Sequence, residues 1–149
     1  MARVNPRRRF ALAGIVVAVA VLCAACAPSQ GTEEEHVSQV GEAVTAADQR
    51  VVSVSAEKSV DGLSWGWTLD IVLSGSEPVT SDELGNVLKA ARHAGDLDPG
   101  HVDVFATDEG GSSFDLTTAA DGLGLRYSKV GAGISVPREM LDDTLGTGE

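Results

Sequence analysis

Cysteine is scarce in this chain, and its placement excludes several classes of protein. Only two are present, Cys23 and Cys26, and both lie in or beside an uncharged apolar segment. A disulfide between two cysteines in such a position is not expected. No cysteine follows Cys26, so the rest of the chain has no thiol to act as a nucleophile or as a zinc ligand.

The chain also has only three histidines, which limits the bases available for catalysis. His36 lies near the start of the acidic region, His93 in the last turn of a predicted helix, and His101 at the start of a predicted strand. A cation in the last turn of a helix is favoured by the helix dipole, which is a structural role for His93. None of the three belongs to a Gly-x-Ser-x-Gly or His-Glu-x-x-His motif. We therefore predict no catalytic residue.

Acidic residues are abundant, but their spacing does not form a metal motif. The densest group accompanies His101 and comprises Asp96, Asp98, Asp103, Asp108 and Glu109. A calcium loop has glycine at its sixth position and a bidentate glutamate at its twelfth. Counted from Asp96, Gly100 is fifth and Thr107 is twelfth. We therefore expect no metal ion and no cofactor.

Basic residues are few once the N-terminal segment is set aside. Residues 26–149 contain all 22 acidic residues but only seven lysines and arginines, which gives a formal charge of −15. Such a surface repels phosphate backbones and anionic lipid headgroups, which excludes nucleic acid as a partner. Any attachment to a membrane must therefore come from the N-terminus.

The N-terminal segment has the plan of an export signal. Four arginines, at positions 3 and 7–9, precede an uncharged apolar run over residues 10–27, and the first acidic residue is Glu33. A basic head, an apolar centre and a small-residue exit direct a chain across the membrane, with the basic head on the cytoplasmic side. The run is also close to the length that spans a bilayer, so an uncleaved anchor remains an alternative.

The exit of the apolar run, Leu22-Cys23-Ala24-Ala25-Cys26, resembles the lipobox of bacterial lipoproteins. In that family a leucine-like residue and two small residues precede a cysteine, which takes a diacylglycerol and becomes the N-terminus after cleavage. Two alanines precede Cys26 and the larger Leu22 precedes Cys23, so the resemblance assigns lipidation to Cys26. Cys23 departs from the family pattern, because leucine usually stands there. An ordinary signal cleaved after the alanines is the second alternative.

Arg7, Arg8 and Phe10 also resemble the twin-arginine export signal, in which two arginines, any residue and a phenylalanine follow one another. That route would export the domain already folded. A strong basic head for the general export route explains the same residues. The sequence leaves both routes open.

These features divide the chain into three parts. Residues 1–25 are predicted to form the signal peptide, residues 26–34 a lipidated N-terminus with a flexible tether, and residues 35–149 a single acidic domain. The tether is rich in Pro, Ser, Gly and Glu and has nothing to bury.

Periodicity within the domain predicts an α+β fold. Apolar residues recur at helical spacing in 34–49 and in 80–95, where Thr80 and Glu83 form a capping box. Alternation predicts strands at 51–56, 63–73, 102–106, 114–116, 125–130 and 134–136. Thr117 or Thr118 is predicted to cap a short helix. We expect a two-layer sandwich, with helices on one face of an antiparallel sheet of about four strands.

The segment 63–73 has the clearest alternation in the chain. One face carries six large apolar side chains, namely Leu63, Trp65, Trp67, Leu69, Ile71 and Leu73. This pattern predicts that both tryptophans belong to the core, because burying them is strongly favourable. Ligand stacking by Trp65 and Trp67 is the alternative. An exposed apolar patch that includes Phe105 or a tryptophan would instead favour partner binding, so Trp65, Trp67 and Phe105 are the candidate binding residues.

These observations predict an extracytoplasmic lipoprotein, held on the cell membrane by diacylglyceryl-Cys26, whose domain binds or scaffolds rather than catalyses. The pattern resembles small lipoproteins of actinobacteria, a resemblance that assigns no functional residue. The expected partners are the lipid bilayer and an envelope protein. A small extracytoplasmic hydrolase that uses the acidic loop residues, and a passive structural subunit of an envelope complex, are the alternatives.

Overall fold

The computed structural model describes residues 31–95 and 97–146. Helices and strands follow one another in this part of the chain in the order α1 (Glu33–Ala47), β1 (Val51–Asp61), β2 (Ser64–Leu73), α2 (Ser81–His93), β3 (His101–Asp108), α3 (Thr117–Gly122), β4 (Ser128–Val130), β5 (Gly133–Pro137) and α4 (Arg138–Leu145).

The five strands form one open sheet in the order β1-β2-β3-β5-β4. The predicted α+β class is confirmed, with helices packed against the sheet. The sheet has one more strand than expected and is mixed, because β2 and β3 are parallel whereas the other neighbours are antiparallel. The parallel pair follows from α2, which carries the chain back to the end of the sheet where β2 began.

The helices form a layer whose centre is α2. It contacts α1, α3 and α4, and α1 also contacts β1. The core lies between this layer and the sheet, and its largest fully buried side chains come from both, including Trp67 and Leu69 on β2, Leu84 and Leu88 on α2, and Ile134 on β5. The opposite face of the sheet carries no helix in the part of the chain described.

Both long helices begin with a capping box. Thr80 Oγ1 accepts a hydrogen bond from the Glu83 amide at 3.3 Å, and Glu83 Oε2 accepts one from the Thr80 amide at 2.7 Å. This arrangement was predicted from the sequence. Thr32 and Glu35 form the same reciprocal pair at the start of α1, with the same two distances. Two of the unpaired amides at each helix start are thereby satisfied.

The alternation predicted for 63–73 holds over most of β2. Trp67, Leu69, Ile71 and Leu73 are buried, whereas Trp65 is half-buried and Leu63 is fully exposed. Leu63 belongs to the two-residue turn of the β1–β2 hairpin, after Gly62 with a φ of 61°. Its assignment to the buried face was therefore wrong, since Leu63 lies in the turn and not in the strand.

The segment after β3 differs from expectation. Residues 114–116 form no strand; the Phe114 amide donates to the Ala106 carbonyl at 2.9 Å, next to a single bridge between Thr107 and Ser113. Neither Thr117 nor Thr118 caps α3, whose N-cap position is Leu116. Instead the Asp115 carboxylate accepts hydrogen bonds from the amide and the hydroxyl of Thr117, at 2.9 and 2.6 Å. The hydroxyl contact, followed by the amide contact, lowers the pKa of Asp115.

Arg50 joins the beginning of β1 to the beginning of α2. Its guanidinium donates to the carbonyls of Ser74 at 3.0 Å and Glu77 at 2.9 Å, and to Glu83 Oε1 at 3.1 Å. It also lies 5.7 Å from the ring centre of Phe114. Partial burial works to raise the pKa of Glu83, but hydrogen bonds from Thr80 and from Arg50 outweigh it, so that this pKa lies below 4.5.

Candidate functional site

The candidate binding residues do not form one site. Trp67 is 1% exposed and belongs to the core, as predicted, and Trp65 contacts it edge-on with ring centres 5.6 Å apart. Phe105 alternates with the buried Val104 on β3, so it lies on the opposite face of the sheet. There its ring covers Gly133, where a Cβ would stand 2.6 Å from Phe105 Cδ1. Phe105 is therefore engaged within the fold.

Trp65 forms one wall of a surface cavity of about 360 Å³ at the start of α1. The other residues around it are Gly31, Glu33, His36, Lys58, Trp67 and Leu97. The Lys58 ammonium lies 5.3 Å from the Trp65 ring centre, a distance at which a cation is attracted to the ring. The Nε1 of Trp67 is buried and has no acceptor among the residues described. The cavity combines an aromatic wall with groups of both charges, which is typical of recognition sites.

The association of Lys58 with Trp65 was missed at the sequence level, although a sign of it was present. In the β1–β2 hairpin Lys58 pairs with Trp67 and Val60 with Trp65. A long side chain reaches diagonally to the residue two positions from its direct partner. The register of the hairpin, once fixed by its turn, would have placed Lys58 beside Trp65.

His101 is in contact with Ser59 and Asp103 on the face of the sheet opposite the helices. Its Nε2 lies 3.2 Å from Ser59 Oγ and 3.9 Å from Asp103 Oδ2. In a serine-hydrolase triad the serine and the acid contact opposite nitrogens of the imidazole. Here both contact the same nitrogen, so Asp103 does not orient His101 toward Ser59 as a base.

Gly66 explains how His101 reaches β1 across β2. The His101 ring lies against the Gly66 backbone, and a Cβ at Gly66 would stand 2.6 Å from His101 Cγ and Cδ2. Any larger residue at position 66 would therefore displace the ring. The other two histidines lie elsewhere. His36 lines the Trp65 cavity, and His93 Nε2 lies 3.3 Å from the Gly146 carbonyl oxygen.

The acidic residues of the predicted densest group are distributed among separate contacts. Asp98 forms ion pairs with Arg92 and Arg138, and Asp108 Oδ1 accepts from the Ser112 amide at 2.8 Å. Asp96 lies outside the described residues. Within residues 31–95 and 97–146, no three His, Cys, Asp or Glu side chains are grouped closely enough to hold a metal ion.

A second concave surface lies between α1 and the edge of the sheet. This groove, called here the α1–β1 groove, has a volume of about 600 Å³ and is lined by Val37, Ser38, Gly41, Glu42, Thr45, Ala46, Val54, Ser55 and Ala56. β1 pairs with β2 on one side only and is an edge strand. Most of the lining side chains are small, which leaves the groove open along the strand.

Packing within the domain does not explain why position 41, in this groove, is a glycine. It lies in the middle of α1, where glycine costs about 1 kcal/mol relative to alanine. Nothing lies within 4 Å of the position that a Cβ would occupy. No neighbour within the described chain therefore requires a glycine here.

The predicted lipidation site Cys26, and the export-signal residues Arg7, Arg8 and Phe10, lie outside the described residues. Over the parts that are described, none of the helices combines the length and the apolar character needed to cross a bilayer.

A comparison of the chain with protein-family models, with curated protein sequences and with solved structures gave no match.

Proposed function

We propose that the protein is an exported lipoprotein, attached to the cell membrane by a diacylglycerol on Cys26, whose domain binds another molecule on the extracytoplasmic side. The single observation that supports the attachment is the sequence at the N-terminus, a basic head, an uncharged run and the exit Ala24-Ala25-Cys26. An acidic domain of formal charge −15 over residues 26–149 offers anionic lipids no other attraction.

Binding is favoured over catalysis by the way the ionisable side chains are arranged. The contact between Ser59 and His101 lacks an acid on the second imidazole nitrogen. The two concave surfaces, the Trp65 cavity and the α1–β1 groove, are instead lined by aromatic, small apolar and a few charged groups. Concave surfaces with such linings are typical of sites that bind a ligand or a partner.

Two matched cysteine variants test the attachment. In cells that export the protein, Cys26→Ser is expected to lose the added mass of a diacylglycerol, measured by mass spectrometry of the intact protein. Cys23→Ser is expected to keep that mass, because position 23 is not the lipidated residue. Loss of the lipid by Cys23→Ser and not by Cys26→Ser would assign the lipid to Cys23 and would contradict the proposal. A wild-type protein without the lipid would contradict it as well.

Binding is tested by chemical cross-linking on intact cells, with the cross-linked peptides identified by mass spectrometry. The proposal predicts cross-links from residues around the Trp65 cavity or the α1–β1 groove to one or a few defined molecules. Turnover of ester, amide or glycoside substrates that depended on Ser59 or His101 would contradict it and would favour a hydrolase.

A further inference from the structure

The α1–β1 groove lies beside a row of backbone groups that has no partner strand. β1 has 11 residues and pairs with β2 alone. We propose that an extended, basic segment of another protein enters this groove and pairs with β1 as a sixth strand of the sheet. This inference rests on the proposed function in one respect, that the domain meets its partner on the extracytoplasmic side.

The edge of β1 is unprotected where it borders the groove. Natural edge strands are commonly blunted by charged side chains, proline or bulges, because a free edge pairs with other chains. Here the irregularity lies between Val51 and Ser53 and the charges lie at Glu57 and Lys58. The segment between them, 54–56, is Val-Ser-Ala and lines the groove. Strand addition to such an edge, next to a helix, is a recurring mode of peptide recognition.

Gly41 gives this mode the space it needs. A strand added to β1 must pass close to α1, and the absence of a side chain at position 41 lets a backbone approach the helix there. The domain itself gains no contact from this glycine, since nothing lies within 4 Å of its Cβ position. A role in accommodating a partner therefore accounts for a residue that weakens the helix.

The charge of the groove identifies the kind of segment that fits. Glu42 is the charged residue among those that line the groove, and the rest of α1 carries three more glutamates, at positions 33–35, and no lysine or arginine. Glu42 lines the groove and accepts a hydrogen bond from Ser38 at 3.3 Å, and Glu57 lies on the other face of β1. Since strand side chains alternate between two faces, the segment best suited to both faces alternates apolar residues with lysine or arginine.

Three synthetic peptides of about eight residues, a length typical of strands, separate strand addition from simple charge attraction. The first alternates Val and Lys, the second alternates Val and Glu, and the third is the Val-Lys peptide with alternate backbone amides methylated. Each is titrated against the full chain in detergent micelles, and empty micelles serve as the blank. We expect the glutamate and the methylated peptides to bind at least about tenfold more weakly than the first, because each lacks one of the two interactions proposed.

Hydrogen exchange measured by mass spectrometry on the same sample locates the peptide. The Val-Lys peptide is expected to slow amide exchange in residues 52–59, because free edge amides become hydrogen-bonded. Binding without protection of this segment would overturn the proposal, and so would equal binding of the methylated peptide. Protection of β1 that rises with protein concentration and needs no peptide would show that a second copy covers the edge, which also contradicts it.

Variants at position 41 provide a test that does not depend on unfolding. Gly41→Leu places a side chain in open space and is expected to weaken Val-Lys peptide binding at least about tenfold while raising the thermal midpoint by a few degrees, since leucine favours helix more than glycine. Gln39→Leu, exposed on the same helix but outside the groove, is expected to leave binding unchanged. Unchanged binding by Gly41→Leu would refute the inference.

The lipid on Cys26 is measured by mass spectrometry on the protein used for these titrations. Absence of the lipid, whatever the peptides do, counts against the proposed function alone. If the protein carries the lipid but does not bind the Val-Lys peptide, the result counts against strand addition alone.

Discussion

Removing the guanidinium of Arg50 tests whether the beginning of β1 is fixed to the beginning of α2. Arg50→Met keeps most of the length of the side chain and removes its donors and its charge. The arginine side chain is 21% exposed and its partner Glu83 is 17% exposed, so water replaces the lost contacts only in part. The substitution leaves the carbonyls of Ser74 and Glu77 without their donor.

The cost follows from the contacts. Two hydrogen bonds to carbonyls contribute about 1 kcal/mol each, the ion pair with Glu83 about 0.5–1 kcal/mol, and the cation over Phe114 about 0.5 kcal/mol. We therefore expect Arg50→Met to lower the free energy of unfolding by about 3 kcal/mol. Arg50→Lys keeps the charge but loses the planar fork and is expected to cost about half as much.

Urea unfolding followed by tryptophan fluorescence measures the effect. Arg126→Met is the matched control, because Arg126 is exposed and its side chain makes one hydrogen bond among the described residues, from Nε to Met140 Sδ at 3.0 Å. The control is expected to cost less than about 0.5 kcal/mol. A loss below about 1 kcal/mol for Arg50→Met, or a loss equal to that of the control, would refute this account of Arg50.

The same variant changes the pH dependence of stability. The pKa of Glu83 is lower in the folded protein than its ordinary value of 4.5, so its contribution is present above that value and is lost as pH falls through the folded pKa. Because Arg50 contributes to this shift, the wild type is expected to lose more stability than Arg50→Met between roughly pH 5 and pH 3. Equal slopes in unfolding free energy against pH would contradict the assignment.

Four further substitutions test local features of the fold by the same unfolding measurement. Gly66→Ala is expected to cost about 3 kcal/mol of unfolding free energy, because its Cβ meets the His101 ring and backbone. Gly41→Ala is expected to stabilise the fold by about 0.5–1 kcal/mol, because its Cβ meets nothing. A cost at both positions would contradict this. Thr80→Ala is expected to cost about 1 kcal/mol through loss of the α2 cap, and a neutral result would show that the cap does not contribute. Trp67→Phe is expected to cost less than about 2 kcal/mol of unfolding free energy despite the burial of Trp67. The reason is that the change removes an indole N–H that lacks an acceptor in the described structure. A cost above about 4 kcal/mol would contradict this reasoning.

Features of the fold that depend on neighbouring residues were predictable from the sequence. The capping box of Thr80 and Glu83 involves residues three positions apart. The buried face of β2 from Trp67 to Leu73 follows from alternation within one strand. Both are local, and the physical rules for them require no knowledge of the rest of the chain.

Features that depend on distant contacts were not predictable. The pairing of β2 with β3 depends on which edge of the sheet the chain joins after α2. Leu63 is exposed because it lies in the turn of the hairpin, whose position is fixed by strand pairing. The contact between Ser59 and His101 joins residues 42 positions apart and requires that Gly66 lie between them. The α1–β1 groove likewise arises only when a helix and an edge strand are packed together.

The membrane attachment is tested most directly by the mass of the N-terminal peptide of the wild-type protein, isolated from membranes and digested with a protease. The account predicts that this peptide begins at Cys26 and carries the added mass of a diacylglycerol on that cysteine. A peptide that begins at Cys26 without lipid, one that carries the lipid on Cys23, or an intact N-terminus at Met1 would contradict it.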